Sequence, residues 1–159
     1  MEKALFLFNI LKTKQMKAFC IFGLSLFIIT SCDTINKEEI KNEIFQAEKA
    51  FEKMTSDEGI PQAFYYFADE NAVIKRENDT LIIGNENIKK YYEKNNNENT
   101  TVNWTADFID VSDCGTLAYT YGKYCWKIKN IEGEIVEYTG VFHTVWKKQK
   151  DGSWKYVWD

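Results

Sequence analysis

The chain has 159 residues, 20 basic against 24 acidic side chains and a formal charge of −4. Residues 1–31 hold four lysines and one glutamate, so the remainder carries 16 basic against 23 acidic groups, net −7. An acidic body with Arg76 as its single arginine and no basic cluster repels phosphate backbones and anionic headgroups, which excludes nucleic acid as a partner.

The chain opens with Lys12, Lys14 and Lys17 ahead of an apolar run from Ala18 to Ile29. That run falls short of the about 20 helical residues that cross a bilayer core. It closes as Phe27-Ile28-Ile29-Thr30-Ser31-Cys32, a small-residue pair and then a cysteine. The pattern resembles a bacterial lipoprotein signal. The resemblance implies cleavage before Cys32, acylation of its thiol and new amino group, and a mature chain held at a membrane through Cys32. The expected location is the bacterial cell envelope, outside the cytoplasm. Met16 followed by Lys17 makes a compact signal by itself, so Met1 and Met16 both stand as starts. Asp33 after Cys32 leaves inner and outer membrane open. The organisation expected is a signal peptide over 1–31, a lipidated cysteine and tether over 32–37, and one domain over 38–159.

Ile40, Ile44, Ala47, Phe51 and Met54 recur at spacings of three and four, which predicts an amphipathic helix. Asn36 followed by Glu39 reads as its capping box. Pro61 suits the first turn of a short aromatic helix, Gln62 to Phe67. Ala72 to Lys75 and Leu81 to Ile83 read as short strands around Glu77-Asn78-Asp79. Gly84 ends the second. Asn85 to Glu93 forms a third helix burying Ile88, Tyr91 and Tyr92, and residues 95–99 form a polar loop. Strands follow near Val102 to Val111, Leu117 to Ile128, Ile135 to Lys148 and Trp154 to Trp158, joined by turns at Asp113-Cys114-Gly115, Glu132-Gly133 and Asp151-Gly152. Helices first and an antiparallel meander afterwards give an α+β domain. Cys114 in a turn and Cys125 along the next strand lie roughly 30 Å apart at about 3.3 Å per residue, so both are expected free.

The element order resembles the SnoaL-like and nuclear transport factor 2-like superfamily. The residues that carry the resemblance are Ala47-Glu48-Lys49-Ala50-Phe51, Phe67-Ala68-Asp69-Glu70, Gly84 with Ile88, Leu117-Ala118-Tyr119-Thr120-Tyr121-Gly122, and Val145-Trp146-Lys147-Lys148 with Asp151-Gly152-Ser153-Trp154-Lys155. It implies a cone-shaped, curved antiparallel sheet wrapped around about three N-terminal helices, with a pocket inside. The superfamily contains isomerases, dehydratases, cyclases and noncatalytic binding domains, so the fold leaves function open. Ketosteroid isomerase-like members place a carboxylate base near the position of Lys75-Arg76, where this chain has cations. Asp107, Asp110, Glu137 and Asp159 are the other carboxylates in range, and each reads more simply as a solvated strand or edge residue.

His143, the single histidine, lies between Phe142 and Thr144 in a long strand and is either a general base or a residue of the sheet surface. A two-residue Asp151-Gly152 loop would set Val145 opposite Trp158, with His143 on their face. One histidine and two separated cysteines give no metal-ligand spacing, and no glycine-rich phosphate loop or nucleophile elbow is present. No cofactor is expected. The aromatic side chains exceed what one sheet face needs. They fill a core, line the pocket for a small apolar ligand, or form a homodimer surface on the other face. Trp104, Tyr119, Tyr121, His143 and Trp158 are the ligand-contact candidates. The two functions in view are binding of a small apolar molecule or a partner protein, and an isomerase or hydro-lyase reaction in the same pocket.

Overall fold

The computed structural model describes residues 35–95 and 99–159. The expected signal peptide, Cys32 and the expected tether up to residue 34 lie outside the described residues, as do residues 96–98 of the polar loop.

Helix α1 spans Lys37–Asp57. The expected N-cap is present, with Glu39 N donating to Asn36 Oδ1 at 3.3 Å, while the return contact of the capping box runs from the Asn36 side chain, Nδ2 donating to Glu39 Oε2 at 3.4 Å. The buried stripe is Ile40, Ile44, Glu48, Phe51 and Thr55. Ala47 and Met54, expected on it, flank it and are partly buried. Helix α2, Ile60–Phe67, begins with Pro61 in its first turn. It runs without a loop into β1, Ala68–Arg76, which is longer than the expected 72–75. A short 3-10 turn over Glu77–Asp79 leads into β2, Thr80–Ile83, and helix α3 covers Asn85–Asn95. The remaining strands are β3 (Thr100–Val111), β4 (Leu117–Lys129), β5 (Ile135–Lys148) and β6 (Trp154–Trp158).

These strands form one curved six-stranded sheet in the order β2-β1-β6-β5-β4-β3. The sheet is mixed, not wholly antiparallel as expected. β6 pairs parallel to β1, with Ala68 opposite Tyr156 and Val73 opposite Trp158, and every other pairing is antiparallel. The cause is non-local, because β6 returns beside a strand more than 80 positions earlier and hairpin signals register only neighbours in sequence.

Alternation along the strands assigns the two faces. Ala118 and Thr120 of β4, Thr144 and Trp146 of β5 and Tyr156 of β6 are buried under the helices. Tyr119, Tyr121 and Phe108 face the other way and are exposed. The register of β3 shifts between Ala106 and Phe108, and Gly122 sits opposite that bulge. A Cβ at position 122 would overlap the Thr105 carbonyl oxygen, so only glycine lets the bulged strand approach this closely.

The core is aromatic. The Phe51 ring meets Phe64 at 4.8 Å, Trp104 at 4.9 Å, Phe67 at 5.0 Å and Tyr156 at 5.7 Å between centroids. Each such ring contributes about 1.5–3 kcal/mol on burial. The joining turn of β5 and β6 departs from expectation, since Lys148 pairs with Trp154 and Gln149 N donates to Ser153 O, which leaves a longer loop than two residues. An irregularity between Val145 and Trp146 then restores Val145 opposite Trp158.

Candidate functional site

α1 is 21 residues long, about 32 Å at 1.5 Å per residue, whereas the β4–β5 hairpin runs for about 43 Å at 3.3 Å per residue. The sheet therefore outreaches the helix that covers it. The gap is a cavity of about 760 Å³ between α1, α2 and α3 on one side and the inner sheet face on the other. From α1 only Glu48 and Phe51 reach its wall. Phe64, Tyr92, Trp104, Tyr124 and Trp126 are among its aromatic lining.

Glu48 lies at the closed end, 2% exposed. Its Oε1 accepts from Thr120 Oγ1 at 2.5 Å and Trp146 Nε1 at 2.9 Å, and its Oε2 accepts from Trp104 Nε1 at 2.8 Å. Burial raises the Glu48 pKa above the ordinary carboxylate value, the three donors pull it down less strongly, and nearby Asp159 adds to the rise. Thr120 pairs across the strands with Thr144, whose Oγ1 donates to Asp159 Oδ2 at 3.2 Å. Asp159 accepts from Arg76 at 2.8 Å, and Arg76 Nε donates to Tyr92 Oη at 2.9 Å. Burial opposes the charge on Arg76, but Tyr92 and Asp159 beside it outweigh that and raise its pKa. Burial likewise raises the Tyr92 pKa, which keeps the phenol protonated. A polar strip of two carboxylates, one guanidinium and one phenol thus crosses an aromatic cavity.

Of the residues singled out from sequence, Trp104 and Trp158 line this cavity. His143 borders both it and a shallow groove with Ser112, Leu117, Tyr119 and Val145. Tyr119 and Tyr121 do not line the cavity. They lie on the opposite face with Phe108, which stacks on Tyr121 at 5.0 Å and meets Tyr119 at 5.8 Å, while the rings of Tyr119 and His143 are 5.8 Å apart. The proposed ligand set is therefore divided between two faces. Asp159 is not the solvated edge residue expected, since its side chain is 16% exposed against Arg76. Asp107 is exposed at the bulge, and Glu137 forms a surface ion pair with Lys127 at 2.8 Å. Cys114 and Cys125 are free. Sequence reasoning missed Glu48, although a signal existed: it stands four residues from Ile44 and three from Phe51, a charge inside an apolar stripe.

No family model matches the chain, and no curated protein matches it in sequence. Solved structures do match. A nuclear transport factor 2-like superfamily protein from Salmonella enterica serovar Typhimurium superposes with a TM-score of 0.62 at 16% identity, over 76% of this chain and 88% of that one. The fold is nuclear transport factor 2-like. The association domain of the Caenorhabditis elegans kinase CaMKII gives 0.61 at 16% identity, covering 77% of this chain and 94% of that one. A ketosteroid isomerase-like protein from Erwinia carotovora gives 0.59 at 12% identity, covering 72% and 89%. Within the nuclear transport factor 2-like fold, the helix-covered face of the sheet holds the cavity and the opposite face is left open.

Proposed function

We propose that this protein is a lipid-anchored, extracytoplasmic binding protein that takes a small, largely apolar molecule into the helix-covered cavity. The observation that carries the reading is the cavity itself. Its volume of about 760 Å³ lies within the roughly 300–1,000 Å³ of small-molecule sites, and its aromatic wall surrounds a few convergent polar groups. The Ser31-Cys32 pattern behind an apolar run supports the anchor. Two experiments test the two parts. A neutral fluorescent probe, 1-aminoanthracene, titrated against the full chain in mild detergent is expected to bind and to lose affinity on Trp126→Ala; no binding would sink the pocket reading. Labelled palmitate fed to an expressing bacterium is expected to appear on the chain and to vanish with Cys32→Ser; a chain that stays unlabelled would sink the anchor.

A second reading, an isomerase or hydro-lyase, is favoured by Glu48 and Asp159 facing one apolar cavity, where a carboxylate of raised pKa can exchange a proton with a bound substrate. Substituting Glu48 would then abolish turnover with binding retained. The exposed outer strip of Phe108, Tyr119 and Tyr121 suits a homodimer contact, which the association-domain neighbour supports by likeness of fold.

A further inference from the structure

The ends of the sheet are not equivalent with respect to the start of the described chain. Ile35 and α1 begin beside the β3–β4 turn. Lys37 Nζ pairs with Asp113 at 2.6 Å, and a Cβ on Gly115 would fall 3.0 Å from the Ile35 side chain. The loop after β5 is at the same end, since Lys148 N donates to Thr116 O at 2.9 Å. The rim of the cavity is at the other end. Glu77, Tyr91, Asn95, Thr100, Ile128 and Tyr138 are its exposed and half-buried members at that end, and Lys75, Val141 and His143 are also exposed on its wall. Thr100 and Ile128 pair at one end of β3 and β4, and Val111 and Ala118 pair at the other. Eleven residues of strand separate Thr100 from Val111, about 36 Å at 3.3 Å per residue.

Cys32 is three residues from Ile35, so the chain between them reaches at most about 11 Å. That is a fraction of the strand length. A lipid on Cys32 therefore holds the β3–β4 turn toward the bilayer and the rim away from it. We infer that the cavity opens away from the membrane and draws its ligand from the aqueous compartment, as a dissolved small molecule with an apolar body, and does not extract a lipid from the bilayer beneath. The inference rests on the lipid-anchored reading above. A cavity that loads from the bilayer would need its rim on the anchored side.

The test uses the full chain, lipidated in a bacterial host and reconstituted in vesicles with nitroxide-labelled phospholipids. One form keeps Cys114, in the near turn, as the bimane attachment point in a Cys125→Ser background. The other is Glu132→Cys with Cys114→Ser and Cys125→Ser, which places the dye at the far hairpin tip. The dye at position 114 is expected to lose emission to the lipid nitroxides, and the dye at position 132 to keep it. Iodide in the buffer should quench position 132 equally before and after reconstitution. Greater lipid quenching at position 132 than at 114, or equal quenching at both, would overturn the orientation while leaving the anchor intact. A chain that does not float with the vesicles would overturn the anchored reading itself, and the orientation with it.

Discussion

The inner face of the sheet carries large aromatic side chains along its whole length, yet its two ends differ in what covers them. At the end near the α1 N-terminus, Trp146 and Tyr156 are fully buried and Trp154 is nearly so, with Glu43 of α1 accepting from Trp154 Nε1 at 2.8 Å. At the other end Tyr138 is 56% exposed, and Tyr124 and Trp126 are half-buried. Composition does not distinguish the ends. Helix coverage does, because α1 is shorter than the hairpin it packs on, and Glu48 with Phe51 is where it meets the cavity wall. Packed rings are a core; the same rings without a helix above them are the wall of a cavity.

The two ends meet at Phe51, where a substitution is expected to have the largest effect. Phe51→Ala removes the ring that touches Phe64, Phe67, Trp104 and Tyr156, and is expected to cost about 3–5 kcal/mol in urea denaturation. A loss below about 1 kcal/mol would mean that this end is not the packed core. Glu48→Ala is expected to cost about 3 kcal/mol, since it leaves the Trp104, Trp146 and Thr120 donors without an acceptor. Glu48→Gln retains a carbonyl acceptor and is expected to cost less.

The Glu48 variants also carry a pH signature. The folded pKa is raised above the ordinary value of 4.5, so between the two the folded state binds more protons than the unfolded one. Stability contributed by Glu48 is therefore full at acidic pH and declines as pH rises from about 4.5 through the folded pKa. Chemical denaturation across pH should show the wild-type chain losing ground relative to Glu48→Gln over that interval. Parallel pH profiles would contradict the raised pKa.

At the open end the order of effects reverses. Tyr138→Ala is expected to change stability by no more than about 0.5 kcal/mol, yet to weaken 1-aminoanthracene binding in a fluorescence titration. A large stability loss with unchanged probe affinity would make Tyr138 a core residue. The smallest folding effect is expected on the outer face, where Tyr121→Glu should leave the denaturation midpoint nearly unchanged at dilution where the chain is monomeric and, on the proposed homodimer contact, lower the mass seen by sedimentation at higher concentration.

Much of this architecture is legible from local pattern. The α1 helix, the Asn36 cap and the β4–β5 hairpin each depend on residues a few positions apart, and each is present. Features that depend on distant partners are not. Nothing near Ala68 signals that β1 begins there, because its partner is Tyr156. Asp159 reads as a solvated last residue until Arg76 and Thr144 are brought to it. Tyr119 and Tyr121 look like pocket residues by composition, and only the alternation fixed by buried Thr120 shows them facing outward. Glu48 is the instructive case, a charge whose position in the stripe announces burial but whose three donors come from strands 50 to 100 positions away.

The measurement closest to the central claim is native mass spectrometry of the full chain, purified from its own host in mild detergent, alongside Trp126→Ala and Trp146→Phe. A small molecule is expected to be retained by the wild-type chain and by Trp146→Phe, and lost from Trp126→Ala. Wild-type chain that carries no noncovalently held small molecule, with 1-aminoanthracene failing to bind it, would contradict a ligand-binding cavity at the open end of the sheet.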